Sequence, residues 1–339
     1  MTTGVGRPTL EQVAALAGVG RGTASRVING SSQVSQRSRD AVLAAVEELG
    51  YVPNPAARSL VTRRTDTVAL VISEPEDRLF GEPFFAGIVR GISSAVNESS
   101  RQLVLALAQT PEQASRLDSY LTAQHVDGVL LLSLHGEDRL PARLRARGLP
   151  TVLGGRPLGG DDGSFVDVDN VGGAALALEH LLERGRSAIA TISGPLDMVA
   201  GRDRRTGYEQ ALRSAGREVT DDLIEPGDFS EQSGASAMRQ LLERRPDIDA
   251  VFAANDLMAA GAMRYLREVG RDVPADVSVV GFDDSPLAQH TAPELTTVHQ
   301  PTELMGREMA RILVQQITGQ GPLLEQQVLP ARLVVRGSS

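Results

Sequence analysis

The sequence predicts an α/β protein: a three-helix head and a short helical joint, followed by two doubly wound, parallel-sheet lobes. Three observations predict it. From residue 66 onward, apolar runs of three to six residues alternate with helix-periodic segments, the pattern of parallel strands joined by crossover helices. Before residue 50 the only periodicity is helical. Charge is also divided: residues 1–65 hold eight Arg against four acids, a net +4 that leaves −13 on the rest of a chain whose total is −9. A basic end on an acidic body is the asymmetry of a protein that meets phosphate at one end only.

In the head, Thr9 and Gln12 have capping-box spacing, so a helix is expected from Leu10 to about Ala17, where Gly18 ends it. Val19, Ala24, Val27 and Ile28 resume the helical period after the turn GVG, which makes a helix-turn-helix pattern. A third helix should run from Gln36 to Leu49, capped by Ser35, with Val42, Leu43, Val46 and Leu49 inside. The second helix would enter a DNA major groove. Arg21 can donate twice to guanine, and Thr23, Ser25, Arg26 and Asn29 suit base edges or phosphate.

The joint is YVPNPAARSLV, Tyr51 to Val61. Asn54 suits the cap and Pro55 the first helical position, so AARSL should start as a helix. It is far shorter than the ~12–15 residues at which an isolated helix becomes marginal in water, so it needs a partner to fold.

In the body, strands are expected at TVALVIS (67–73), Leu103–Ala108, Gly128–Leu132, Thr151–Leu153, Ser164–Val168, Ala188–Ser193, Ala250–Ala253 and Val277–Phe282. Helices are expected at Phe85–Glu98, Glu112–Ala123, Val171–Arg184, Asp203–Ala215, Ser230–Arg244 and Asp256–Val269. Ligands of such folds sit at the carboxyl ends of the strands, and a cleft between lobes is the natural pocket. Arg202, Asn255, Asp256, Asp283 and Asp284 all follow strands. Guanidinium, amide and carboxylate groups converging there can pair with vicinal hydroxyls. Phe229, with Phe84 or Phe85 from the other lobe, could cover an apolar sugar face.

Other chemistries find no foothold. With no Cys, disulfides, thiolate metal sites and cysteine nucleophiles are excluded, and the His residues at 125, 135, 180, 290 and 299 form no H-x-x-x-H pair. GGRPLGGDDG lacks both dinucleotide and Walker patterns, and the chain has no Lys to complete the latter. No nucleophile elbow occurs. No cofactor, metal or catalytic residue is therefore expected. MTTGVGRPTL lacks the features of a signal peptide and no apolar run reaches ~18 residues, so a cytoplasmic protein without membrane contact is expected.

Val13, Ala14, Ala17, Gly18, Val19, Thr23, Ser25, Arg26, Val27, Ile28 and Asn29 fit the head pattern of the LacI/GalR (lactose-repressor) family, which the chain resembles throughout. Gly20 and Ala24 depart from the family's Ser and Val, and Gly22 stands where many relatives carry a base-reading side chain. The resemblance implies DNA contacts at Thr9, Arg21, Gly22, Thr23, Ser25, Arg26 and Asn29. It also implies a hinge helix carrying Ala57, Arg58 and Leu60, with Leu60 wedged between base pairs. The body resembles the family's effector domain, of periplasmic-binding-protein type. Arg202, Asn255 and Asp283 match its effector contacts, Phe229 its stacking aromatic, and Arg156 and Asp169 lie on the inter-lobe strand.

The implied layout is a head at 1–52, hinge and linker at 53–65, a first lobe at 66–167 with 299–321, and a second at 168–298 with 322–339. A ligand-responsive repressor follows, binding a pseudopalindromic operator as a homodimer and released by a small sugar. The stretch SLVTRRTDTVALVISEPEDRLFGEPFFAGIVRGI is similar to an actinobacterial subgroup with cellobiose-responsive members, so a β-glucoside or cello-oligosaccharide is the expected effector. A purine-type corepressor is the alternative within the class, and a sugar-binding transport protein the alternative outside it.

Overall fold

The computed structural model describes residues 8–31, 33–52, 64–108, 111–122, 125–136, 138–159 and 163–339. They belong to two units, Met1–Thr65 and Asp66–Ser339.

In the first unit α1 (Leu10–Leu16) starts at the expected capping box: Thr9 Oγ1 accepts from Gln12 N–H, and Gln12 Oε1 accepts from Thr9 N–H at 2.8 Å. Gly18, at φ +64°, makes the turn to α2 (Arg21–Ile28), whose cap position Gly20 offers no side chain. Ser35 caps α3 (Gln36–Leu49), which Gly50 ends in the left-handed conformation. Val13, Ala14, Ala24, Val27, Val42 and Ala45 form the core. Leu43, expected inside, is 52% exposed. It stands about 100° around the helix from Val42, whereas Ala45, Val46 and Leu49 return to the buried stripe. The hinge expected at 53–65, with Ala57, Arg58 and Leu60, lies outside the described residues apart from Arg64 and Thr65.

The second unit contains two six-stranded sheets. One holds β1 (Thr67–Ile72), β2 (Gln102–Leu107), β3 (Gly128–Leu132), β4 (Thr151–Gly154), β5 (Ser164–Val168) and β11 (Gln326–Leu329), in the order β11-β5-β4-β3-β1-β2, all parallel. The other holds β6 (Ile189–Ser193), β7 (Ile224–Pro226), β8 (Ala250–Ala253), β9 (Ser278–Asp283), β10 (Thr296–His299) and β12 (Arg332–Val334), in the order β12-β10-β9-β8-β6-β7, with only β12 antiparallel. Central strands such as GVLLL and AVFA are buried throughout because helices cover both faces of a parallel sheet.

The helices of this unit are α4 (Glu76–Gly81), α5 (Pro83–Glu98), α6 (Pro111–Thr122), α7 (Leu140–Ala146), α8 (Asn170–Glu183), α9 (Val199–Ser214), α10 (Glu231–Arg244), α11 (Asp256–Glu268) and α12 (Thr302–Thr318). The chain crosses between lobes after β5, after β10 and between β11 and β12. The third crossing corrects the expected limit at 321/322: Gln326–Leu329 pairs with β5 and belongs to the first lobe, so the chain leaves it only at residues 330–331. QQVL is a polar edge strand, exposed along most of its length, and lacks the apolar run by which the other strands are read. α12 then lies in the first lobe, packing Met305, Met309, Ile312 and Leu313 into its core.

Candidate functional site

The carboxyl ends of β1, β3 and β4 face those of β6, β8 and β9 across a cleft. Two adjoining cavities of about 70 and 60 Å³ lie in it, sharing Phe84, Ser133, Met198, Ala200, Arg204 and Gln300. Both fall well below the ~300 Å³ of a small-molecule pocket, so a ligand of disaccharide size enters only if the lobes part. A larger recess of about 440 Å³ adjoins Phe84, Asp283 and Gln300 on the side of Arg90 and Thr302.

Arg204 is the centre of the cleft. It is 4% exposed and stacks on Phe282 with its guanidinium carbon 3.7 Å from the ring centroid. Nε donates to Asn170 Oδ1 at 2.9 Å and Nη1 to the Ala254 carbonyl at 2.5 Å, while Asp283 Oδ1 stands 3.6 Å from Nη1. Burial lowers the Arg204 pKa and raises that of Asp283 well above the usual carboxylate range; the charge of each pulls the other back. Asp283 also accepts from Gln300 Nε2 at 2.5 Å. Beneath lies Asp256, which burial raises to about 6 against hydrogen bonds from Thr297 Oγ1 and Ser285 N–H. Phe229 (φ 70°) and Asp283 (φ 117°) hold the left-handed backbone region, a strain that concentrates at binding sites.

The expected site residues divide. Asp283 and Phe229 line the second cavity. Asn255 lines it too, although it is also the helix cap: Oδ1 accepts from Met258 N–H and Nδ2 donates to the Phe229 carbonyl, each at 2.9 Å. Phe84 touches both cavities. Phe85 touches one but is a core residue, 1% exposed, edge-on to Phe84. Arg156 lines the first cavity, bound to Asp167 at 2.7 Å and to Asp203. Asp169 only caps α8, accepting from Gly172 N–H.

Arg202 is a correction. It is exposed and donates to the Leu196 carbonyl at 2.7 Å, away from the cavities. Helix phase explains this: Gly201, Arg204, Gly207, Tyr208 and Ala211 form the buried stripe of α9, and Arg202 is about 200° around from Arg204. That periodicity was the missed signal. Arg78, Glu82, Ser133, Asn170, Met198 and Gln300 were also missed; Arg78 and Glu82 come from α4 and its end, a helix too short for a periodic signature.

Side-chain contacts join the lobes alongside the bond from Gly136 N–H to the Asp197 carbonyl at 2.7 Å. Arg156 reaches Asp203 on α9, and His135 bridges Glu74 of its own lobe and Asp197 of the other, at 2.9 Å each. The bond from Glu74 raises the His135 pKa most; burial opposes it and Asp197 adds to it. On the other side, burial pushes Glu74 up, but His135 and Arg78 outweigh it and hold it low. Because the His135 pKa is raised in the folded protein, its stabilisation is complete below the unfolded value of about 6.5 and disappears as pH climbs through the raised value. The melting-temperature difference between wild type and His135→Ala should thus be largest near pH 6 and shrink at alkaline pH. A constant difference from pH 6 to 9 would refute the linkage.

In the N-terminal unit, Thr9, Arg21, Gly22, Arg26 and Asn29 are exposed, and Thr23 and Ser25 are half-buried. Arg21 pairs with Glu11 at 2.9 Å, both side chains solvated, and a methyl added at Gly22 would meet nothing within 4 Å. Ala24 and Val27 are turned into the core, which leaves Arg21, Gly22, Arg26 and Asn29 on the solvent side of α2 and its end.

Comparison with known proteins decides the family. Residues 9–54 match the family described as bacterial regulatory proteins, lacI family, and residues 178–339 match a periplasmic binding protein-like domain. The HTH-type transcriptional regulator CelR of Thermobifida fusca is 59% identical over 334 residues, 98% of either chain. The chain belongs to the LacI family. Among solved LacI-type structures, a transcriptional regulator CelR–cellobiose complex is 57% identical with a TM-score of 0.80, covering 98% of this chain and 100% of that one. The lac repressor dimer bound to operator and an anti-inducer is 30% identical with a TM-score of 0.86, covering 98% and 99%. Membership in the LacI family makes this chain a DNA-binding transcriptional regulator, with the helix-turn-helix unit as its DNA reader and the two-lobed unit as its effector domain. No described helix is long and apolar enough to cross a membrane.

Proposed function

We propose that this regulator represses transcription by holding a pseudopalindromic operator as a homodimer, and that a cello-oligosaccharide, cellobiose first of all, releases it. One observation carries the effector reading. Arg204, Asp283 and Asn255 gather donors and acceptors beside the Phe229 ring at the junction of two lobes. Paired polar groups suit vicinal hydroxyls, and an aromatic face suits the apolar side of a pyranose. The 59% identity to CelR favours cellobiose over a purine corepressor.

The effector acts by preferring one arrangement of the lobes, and operator affinity falls by the free energy of that preference. Arg21 and Arg26 read the major groove, and Ala57, Arg58 and Leu60 carry the hinge. The protein works in the cytoplasm, and no residue is assigned a catalytic role, its relatives being regulators.

The test is fluorescence anisotropy on an operator selected from random duplexes. Cellobiose should weaken binding by about tenfold or more, a coupling of ~1.4 kcal/mol. Hypoxanthine should change nothing. Tightening by the purine, with no response to cellobiose, would replace this reading with corepression.

A further inference from the structure

Two arginines approach the Phe229 ring, one from each lobe. Arg204, 5.9 Å from the centroid, is buried and bonds through Nε to Asn170 and through Nη1 to Ala254. Arg78, from the opposite lobe, stands 5.1 Å from the same centroid. Its Nε donates to Glu82 Oε1 at 2.5 Å and its Nη1 to Glu74 Oε1 at 2.7 Å. Glu74 is itself fixed by Ser133 and His135. The guanidinium is therefore held in place from two sides, while Nη2 has no hydrogen bond among the described residues.

We propose that Arg78 is an effector-reading residue contributed by the first lobe, donating from Nη2 to a hydroxyl of a saccharide bound against Phe229. This rests on the saccharide reading of the cleft. Five N–H groups in a planar fork leave donors to spare after two carboxylates are satisfied. A side chain already ordered by Glu74 and Glu82 loses little further freedom when a ligand arrives, so its bond adds to affinity with a small entropic offset. Glu82 is part of the device: burial pushes its pKa up, and the charge and hydrogen bond of Arg78 counter that shift.

Isothermal titration of the full-length protein with cellobiose tests the proposal. Arg78→Ala should weaken binding about 10- to 100-fold, the range for a lost hydrogen bond to a charged group. Arg78→Lys keeps a cation between the two carboxylates and so keeps the segment folded, but it lacks the fork and should also lose affinity. Monodeoxy-cellobiose analogues separate reading from scaffolding. If Nη2 reads a hydroxyl, the analogue lacking that hydroxyl binds wild type and Arg78→Ala alike, whereas a scaffolding role weakens all analogues equally. Equal or tighter binding of cellobiose by Arg78→Ala, or a uniform loss across analogues, overturns the assignment and leaves the saccharide cleft standing. Wild-type protein that takes up no cello-oligosaccharide overturns both.

Discussion

Replacing Arg204 with alanine should destabilise the effector unit by about 3–5 kcal/mol, the cost of removing one partner from a buried charge pair. The guanidinium is the only cation within salt-bridge distance of Asp283 among the described residues, and it also satisfies Asn170 Oδ1 and the Ala254 carbonyl. Without it Asp283 takes up a proton, and two further acceptors lose their donor in a closed interior. Effector binding should vanish with it. Arg202→Ala, two residues earlier, removes an exposed side chain and should stay within about 0.5 kcal/mol of wild type. Urea unfolding followed by far-ultraviolet circular dichroism checks both variants. An Arg204→Ala protein within about 1 kcal/mol of wild type would show that the buried acids do not need the cation.

The second large effect concerns Gly91 on α5 and Gly306 on α12. A methyl on Gly91 would stand 2.0 Å from the Glu303 carbonyl oxygen, and one on Gly306 would stand 2.2 Å from that of Ile88. The obstacles are backbone atoms of the facing helix, which cannot rotate aside. Either alanine must push α12 outward, drawing Met305 and Met309 from the first-lobe core. A loss at or above the ~1–3 kcal/mol typical of overpacking is expected from each. The double variant should cost less than the sum, because one displacement of α12 makes room for both methyls. Gly81→Ala, where an added methyl meets nothing within 4 Å, is the control. Additive losses in the same unfolding experiment would mean the two contacts yield independently.

These outcomes bear on what could be read from sequence. The head was legible almost to the residue because its signals are local: a Thr9–Gln12 capping box, Gly18 at the turn and Ser35 before α3. The parallel strands were legible because burial on both faces makes each an unbroken apolar run. α12, β10 and β11 carry no such local signature: that the chain returns to each lobe was implied by the family resemblance alone, and the polar strand β11 displaced the expected limit at 321/322. The cleft was found at the strand ends, but only in part. Asp283 and Asn255 follow their strands directly, so position sufficed, whereas Arg204 lies a turn into α9 and only helix phase distinguishes it from Arg202. Arg78 belongs to a six-residue helix, and its importance comes from Phe229 across the cleft, a contact about 150 residues distant in sequence.

The three crossings also govern how the protein is made. When the ribosome has finished β5, the first sheet has most of its strands, but one face still lacks α12 and its Met305, Met309, Ile312 and Leu313. Those residues emerge only after the whole of β6–β10, so the half translated first must wait for the half translated second. β11 and β12 then close the two sheets within a few residues of each other. The usual order, in which an N-terminal domain matures before its neighbour is synthesised, is thereby denied to this chain, and its lobes reach completion together once β11 and β12 have been made.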